Sequence, residues 1–551
     1  MYARPMSRSP WLALLFAGGL CGLLGKSQAV DLASVSIADP ATLMQEELRR
    51  AERAAPPLVQ PSRREAAEPS PAPSAPELRG SVQLQEVVFS PSELLEPSEL
   101  NALTQPYLGR AVSSDDLNAF LRAIQALYLS KGVQTAVPVL PQQDLQSGRL
   151  LVLLVEGKFS GVNVQASNDA DPLWVARWFD LPVGEVIRPE TLGGRLDVFN
   201  AASDFFAQAG YVPGAEFGRS ELLVQLPPTD VSQVWSLLEM PELGSGFKSS
   251  NLIVGYRRTP LSARGGRLDL MGISNQDSAT LSLAGSLPLG VAGWRLGASA
   301  SVSRMRSTYV SPDSALDPLD IRGESSSLAL ELAHHQVISA RQLLRWSGTL
   351  SQVKTKTTLG GELWSDRRID RFSLAASTDW PAAVAGDVVP ASLRASFTTA
   401  KGLGPAYQFA EMGGSLAFKS AEALSAVWRL GGQWRFASRN PTDLSDRWQA
   451  GGPYSVRGFG SGAVTGERGL ALQLSVHQPL QFTGLSAAEA YAFTDLARAS
   501  TDGASQRIAA VGGGFQFQLS PRVSIDSQLS HQVVGFQGSR TRLALRASTT
   551  W

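Results

Sequence analysis

The sequence predicts a membrane β-barrel of sixteen antiparallel strands, preceded by two small α+β domains and a short N-terminal helix that plugs the pore. Three observations carry this reading. Past Pro228, over about 320 residues, helical periodicity gives way to segments of roughly ten residues in which apolar side chains alternate with polar or small ones. The chain opens on an export signal, yet no later apolar run is long enough to cross a bilayer as a helix, so any crossing must use strands. Between signal and barrel lie two tandem units of about 75 residues with the same β-α-α-β-β order.

Residues 1–29 read as a signal peptide. Arg4 and Arg8 supply the basic start, Trp11 to Leu24 an apolar run of about 14 residues, and Ser27-Gln28-Ala29 a small-x-small cleavage site. The one cysteine, Cys21, falls inside it, which leaves the mature chain without any. Residues 30–54 form the plug region. Asp39-Pro40 opens a helix over 41–54, and Glu46 and Glu47 precede Arg49, Arg50 and Arg53, an order that suits the helix dipole. Its mixed charge fits a polar lumen and its weak hydrophobicity permits release. Residues 55–79, rich in Pro, Ala and Ser, are an extended linker that spans roughly 30 Å even as a coil.

Residues 80–157 form the first α+β domain. The pattern predicts a strand over 82–90, a helix over 96–109, and a second helix over 113–132 that ends at Gly132. That second helix carries Leu117, Phe120, Leu121, Ile124, Leu127 and Tyr128 on one face. Strands over 134–141 and 148–157 complete the unit. Residues 158–228 repeat the order: a strand over 159–167, helices over 171–180 and 188–210, and short strands near 214–219 and 221–226.

Residues 229–551 are the barrel. In the last segment, 541–551, Leu543, Leu545, Ala547, Thr549 and Trp551 share one face while Arg542, Arg546 and Ser548 take the other, as lipid outside and water inside require. About 20 residues per strand and loop fit a tilted span of about ten residues. Leu543, Leu545 and the terminal Trp551 are read as the barrel-assembly signal.

Composition excludes several functions. Forty-nine basic and 49 acidic residues leave a net charge of zero and argue against a nucleic-acid binder held by a broad positive field. One cysteine and four histidines offer neither a disulfide framework nor a Cys/His metal site. His334 and His335 are neighbours on a strand and point to opposite faces. Nucleophile-elbow, phosphate-loop and zinc-protease motifs are absent, and Asp115-Asp116 reads as a helix opening. The chain is read as non-enzymatic, with no cofactor and no metal.

Two stretches carry a family resemblance. VPVLPQQDLQSGRLLVLLVEG (137–157), with Pro141, Gln142, Gln143, Asp144, Gly148 and the closing Glu156-Gly157, resembles the end of a POTRA domain. GGPYSVRGFGSG (451–462), with Val456, Arg457, Gly458 and Phe459, resembles the VRG[FY] loop of the Omp85 superfamily, and it falls between the eleventh and twelfth strands. On these residues the chain resembles the outer-membrane transporters of two-partner secretion, the TpsB or haemolysin and filamentous-haemagglutinin exporter type. The resemblance implies two periplasmic POTRA domains, a plug helix, and a sixteen-stranded barrel whose sixth extracellular loop, 438–469, folds back into the lumen. It implies that Arg457 pairs with the aspartate of an FxDxG segment, here Phe493 and Asp495, although Leu496-Ala497 replaces the usual x-Gly.

It further implies an outer-membrane pore that recognises and exports a large unfolded partner protein, whether adhesin, haemolysin or contact-dependent toxin. The cargo would bind the POTRA domains, with the 134–141 segment and helix 113–131 as the expected surface. The remaining partners are outer-membrane lipid and, during biogenesis, the barrel-assembly machinery and periplasmic chaperones. Two POTRA domains and a detached helix favour secretion over the assembly factors of the same superfamily, and the recognition modules argue against a diffusion porin.

Overall fold

The computed structural model describes residues 39–54 and 81–551, apart from 229–231, 243–249, 310–318, 340–341, 385–386, 420–425, 439–441, 483–484, 502 and 537. The signal peptide and the linker both lie outside the described residues.

Helix α1 (Pro40–Ala54) opens where Asp39 accepts a hydrogen bond from the Thr42 N–H. The first α+β domain contains β1 (Val82–Gln83), β2 (Glu86–Phe89), α2 (Pro97–Thr104), β3 (Ala111–Val112), α3 (Ser114–Ser130), β4 (Val137–Val139) and β5 (Arg149–Val155). Its main sheet has the order β2-β5-β4, with β2 parallel to β5. Helix α3 starts on a capping box in which Ser113 and Asp116 bond each other's backbone N–H. It buries Leu117, Phe120, Leu121, Ile124 and Tyr128 against the sheet.

Three predicted elements are shorter than the pattern suggested. The strand over 82–90 divides, because β1 pairs with β3 while β2 pairs with β5. The helix over 96–109 stops at Thr104, and Gln105–Tyr107 form a single 3₁₀ turn around Pro106, whose missing N–H cannot continue the α ladder. The strand over 134–141 keeps only its central three residues.

The second domain contains β6 (Lys158–Ala166), α4 (Pro172–Trp178), α5 (Pro189–Ala202), β7 (Gln208–Pro213) and β8 (Arg219–Leu226), with sheet order β6-β8-β7. Trp174, Trp178, Phe179, Phe199 and Phe205 meet in its core. The predicted helix over 188–210 ends at Ala202, and the strands sit at 208–213 and 219–226. Asp204 takes a left-handed backbone (φ 64°), and the Asn200 side chain bonds both the N–H and C=O of Ala207. Together these turn the chain out of the helix, and Gly210 becomes a strand residue.

The barrel begins with β9 (Ser232–Met240), β10 (Asn251–Arg258), β11 (Arg267–Ser274), β12 (Ser278–Leu289), β13 (Trp294–Tyr309), β14 (Leu319–Ser339), β15 (Gln342–Leu359) and β16 (Glu362–Val384). It continues through β17 (Asp387–Lys401), β18 (Tyr407–Lys419) and β19 (Val427–Ala437). Two short strands, β20 (Trp448–Ala450) and β21 (Val464–Gly466), pair with each other inside the sixth loop. The wall resumes with β22 (Arg468–Leu480), β23 (Ala487–Thr501), β24 (Ala504–Ser520), β25 (Val523–Val534) and β26 (Thr541–Thr550).

Sixteen antiparallel strands close, with β26 paired to β9. Leucines such as Leu281, Leu328, Leu350 and Leu543 are exposed on the outside, while serines, threonines and charged residues face in. Leu545 pairs with Met240, and the terminal Trp551 exchanges both backbone hydrogen bonds with Val234 while its side chain stays 60% exposed.

The second POTRA-like domain is pinned beneath this wall. Arg295 of β13 contacts Asp204 at 2.6 Å and donates to the Ala202 carbonyl and the Ser286 hydroxyl.

Candidate functional site: the lumen and its two occupants

The lumen holds two chain segments. The first is the sixth loop. Its tip, residues 456–459, turns inward, and Val456 and Phe459 are buried with Trp448, Val464, Ala497, Ala499, Ile508 and Ala510. Burial of these side chains removes the loop from water and fixes its depth. Arg457 then meets Asp495 of β23. Its Nε donates to Asp495 Oδ2 at 2.7 Å, its Nη2 to Oδ1 at 2.7 Å, and its backbone N–H to Oδ2 at 3.0 Å. The guanidinium also lies 3.7 Å from the ring centre of Phe493. A planar fork on a carboxylate and an aromatic face together use every feature that distinguishes arginine from lysine.

Asp495 is fully buried, and among the described residues Arg457 is the cation that touches it. Gly458 follows with φ 85°, and a Cβ there would stand 2.6 Å from Ser530 Oγ. Its carbonyl accepts from Gln532 at 2.7 Å. The missing glycine of the FxDxG pattern changes nothing in the strand. Leu496 and Ala497 stay in register with Leu472 and Ala471, and Ala497 packs under the loop tip.

The second occupant is α1, which lies along the inner wall of β11–β15. Glu47 accepts hydrogen bonds from the hydroxyls of Ser278 and Thr280 and, at 3.4 Å, from Asn275. Leu48 packs on Trp235, Leu237, Ile253 and Ile273. Two arginines of β16 touch both occupants. Arg367 contacts Asp39 of the helix start and, at 2.7 Å, Asp443 of the loop. Arg371 lies 2.7 Å from Asp446 of the loop and, with the Gln45 amide oriented to satisfy both groups, donates to Gln45 at 2.8 Å. Tyr407 adds a hydrogen bond to Asp446 at 2.6 Å. Sequence reasoning missed Asp39, Arg367, Arg371, Asp443 and Asp446 as a group. Their only local signal is the acid pair spaced three apart in the loop.

Between the sixth loop and the wall a cavity of about 1450 Å³ remains, lined by Arg394, Gly414, Arg429, Gly431, Arg457 and His477.

The POTRA motif residues hold the first domain together. Glu156 is buried and accepts from the Ser92 hydroxyl, the Glu93 N–H at 2.9 Å and the Tyr128 hydroxyl at 2.9 Å. Burial pushes the Tyr128 phenol well above its ordinary range. Gln143 bonds both backbone groups of Leu151, and Asp144 caps the Gln146 N–H. A Cβ on Gly157 would stand 2.6 Å from Thr135 Cβ, and Gly148 has φ 71°. Pro141 is half-buried and Gln142 exposed.

Comparison with known proteins settles the family. Residues 82–157 match the POTRA domain of ShlB type, and residues 267–518 match the haemolysin secretion/activation proteins ShlB/FhaC/HecB. The chain belongs to the ShlB/FhaC/HecB family. It is thereby a TpsB-type barrel of the Omp85 superfamily, seated in the outer membrane with its POTRA domains in the periplasm. It is 26% identical over 302 residues to the outer membrane transporter CdiB of Dickeya dadantii (strain 3937), covering 53% of this chain and 52% of that one. The match thus spans about half the length of that curated relative. CdiB from Escherichia coli shares the fold (17% identity, 95% of this chain and 100% of that chain, TM-score 0.68). So does CdiB from Acinetobacter baumannii (16% identity, 94% and 100%, TM-score 0.63).

Proposed function

We propose that this ShlB/FhaC/HecB protein is a two-partner secretion pore that recognises a large unfolded partner protein in the periplasm and exports it to the cell surface. The observation that carries the reading is a barrel closed by two separate segments, one seated on a buried ion pair and the other resting on the wall by polar contacts. The POTRA domains capture the cargo. An extended chain adds to a sheet edge by main-chain hydrogen bonds. The β4 edge is three residues long and holds Pro138, which has no N–H to offer; the nine-residue edge strand β6 is the better template. The pore does no catalytic chemistry. Movement is driven by the cargo folding outside, which withdraws the unfolded chain from the exit.

Outer-membrane lipid surrounds the barrel, and the barrel-assembly machinery and periplasmic chaperones deliver it. Leu543, Leu545 and Trp551 act as its assembly signal. Asp at Leu545 lowers the outer-membrane level of the protein, since charge on the lipid face costs about 2–4 kcal/mol at most near the midplane. An unchanged level on immunoblot of outer-membrane fractions removes that role.

The deciding experiment is a double-mutant cycle on export, normalised to barrel abundance. Arg457→Ala and Asp495→Ala each reduce export at least about tenfold, because each strands a buried charge. Arg457→Lys restores export only in part. The double change costs less than the sum of the singles. Additive losses, or full export from Arg457→Ala, overturn the reading.

A further inference from the structure

We propose that the outer face of β12–β16, at its extracellular end, binds the phosphorylated sugar headgroup of an outer-leaflet glycolipid. This rests on the outer-membrane seat of the barrel and on its strand register, and not on cargo export.

The height of the site follows from the register. Trp294, His334 and Trp346 stand side by side on neighbouring strands near the periplasmic turns, with ring centres 4.5 Å and 4.9 Å apart. They mark the inner aromatic girdle. Above them Leu330, Leu350 and Phe372 form an exposed apolar row. Higher again, one row reads Val302, Ser326, Lys354, Arg368 and the next reads Arg304, Glu324, Lys356, Asp366. Lys354 and Lys356 lie eight and ten residues along β15 from Trp346. At about 3.4 Å per residue and a tilt of about 40°, they stand roughly 21 and 26 Å above the girdle, where an apolar band of about 25 Å ends.

The upper row alternates in sign, whereas the lower one leaves two cations side by side. Lys354 stands directly opposite Arg368, a like-charge pair that weakens the sheet. Among the described residues Arg368 pairs with Asp370, at 3.3 Å, and Arg304 with Glu324, at 3.5 Å, both in exposed positions. Beside Lys354 lies a cavity of about 520 Å³ bordered by Val302, Ser326, Lys354 and Lys356, with Glu324 and Asp366 on its rim. A phosphate placed in it would accept from Lys354, Lys356 and the Ser326 hydroxyl and screen Lys354 from Arg368. Leu281 and Val302 continue the row of Lys354 and Leu328 stands one step below it, all more than half exposed, where acyl chains would run. That apolar floor selects a lipid-borne phosphate over a free one, because only the lipid gains from covering it.

The test uses the full-length protein in nanodiscs of zwitterionic phospholipid. Native mass spectrometry reads retention of a diphosphorylated acyl disaccharide, its dephosphorylated counterpart, or neither. The wild-type protein keeps the diphosphorylated form preferentially, and millimolar inorganic phosphate does not displace it. Lys354→Gln with Lys356→Gln and Arg368→Gln weakens retention about tenfold or more, since two or three charge-assisted hydrogen bonds are lost. Heat-modifiable migration on gels verifies that the variant barrel is folded. If the triple variant does not fold, Lys356→Gln alone gives a smaller loss of the same sign. Equal retention by variant and wild type, indifference to the phosphates, or displacement by inorganic phosphate overturns the proposal. Loss of glycolipid binding with normal export leaves the secretion reading untouched, and the converse leaves this one.

Discussion

The two segments inside the lumen are held by a different balance of contacts. The tip of the sixth loop rests on an apolar cluster, and its one strong charge is matched by a carboxylate with no exposure at all. Helix α1 leans on the wall through hydroxyls and a largely buried ion pair between Asp39 and Arg367, with Ala41 and Met44 buried and Leu48 packed on a small apolar cluster. Buried fork pairs are costly to break from one side, by about 3–5 kcal/mol. Hydroxyl contacts to a carboxylate exchange readily for water at little net cost. The difference separates a fixture from a stopper. The loop belongs to the wall, whereas the helix is the segment that we propose comes out.

Removing the stopper outright is the largest perturbation of this contrast. Deletion of residues 30–57 raises single-channel conductance in planar bilayers severalfold while export stays near normal. Unchanged conductance would mean that α1 does not close the pore. A smaller step separates the shared arginine from its two clients. Arg367→Gln loosens Asp39 and Asp443 together, so brief open events become more frequent at unchanged barrel stability, whereas Glu47→Gln loosens the helix alone and affects gating less. If Glu47→Gln matched Arg367→Gln, the bridge between helix and loop would have no part in gating.

The smallest effect lies outside the membrane and serves as a control for both. The Ser113 backbone and hydroxyl hydrogen bonds, with Arg110 beside them, hold the Asp116 carboxyl below its usual range. A carboxylate depressed on folding stabilises at pH above its unfolded pKa, about 3.9, and that stabilisation is lost as pH falls through the lower folded value. Hydrogen-exchange protection at the start of α3 therefore declines on acidification below about pH 4. Asp116→Asn flattens this dependence and leaves the conductance unaltered.

Much of this arrangement is legible in the chain because it is periodic or local. Alternation across strands such as 541–551 tells inside from outside, and the VRGF spelling places the loop. The amphipathic face of 113–130 gives the core of the first domain. What stayed hidden is long-range or set by single side chains. Asp39 and Arg367 lie 328 residues apart, and nothing beside either one points to the other. Asn200 ends α5 by bonding forward to Ala207, which a hydrophobic pattern cannot register. The row in which Lys354 faces Arg368 emerges only once neighbouring strands are in register.

Arg546 belongs to the last strand made. It lies 3.5 Å from Glu239 on the first barrel strand, 3.7 Å from Asp526 on the strand before it, and over the ring of Tyr454 in the sixth loop. Three contacts on one side chain impose an order in time. Until the final strand has zipped onto the first in the outer membrane, the loop lacks one wall of its seat. An open, half-zipped sheet therefore cannot hold the loop as the closed barrel does, and closure of the wall becomes the event that arms the pore.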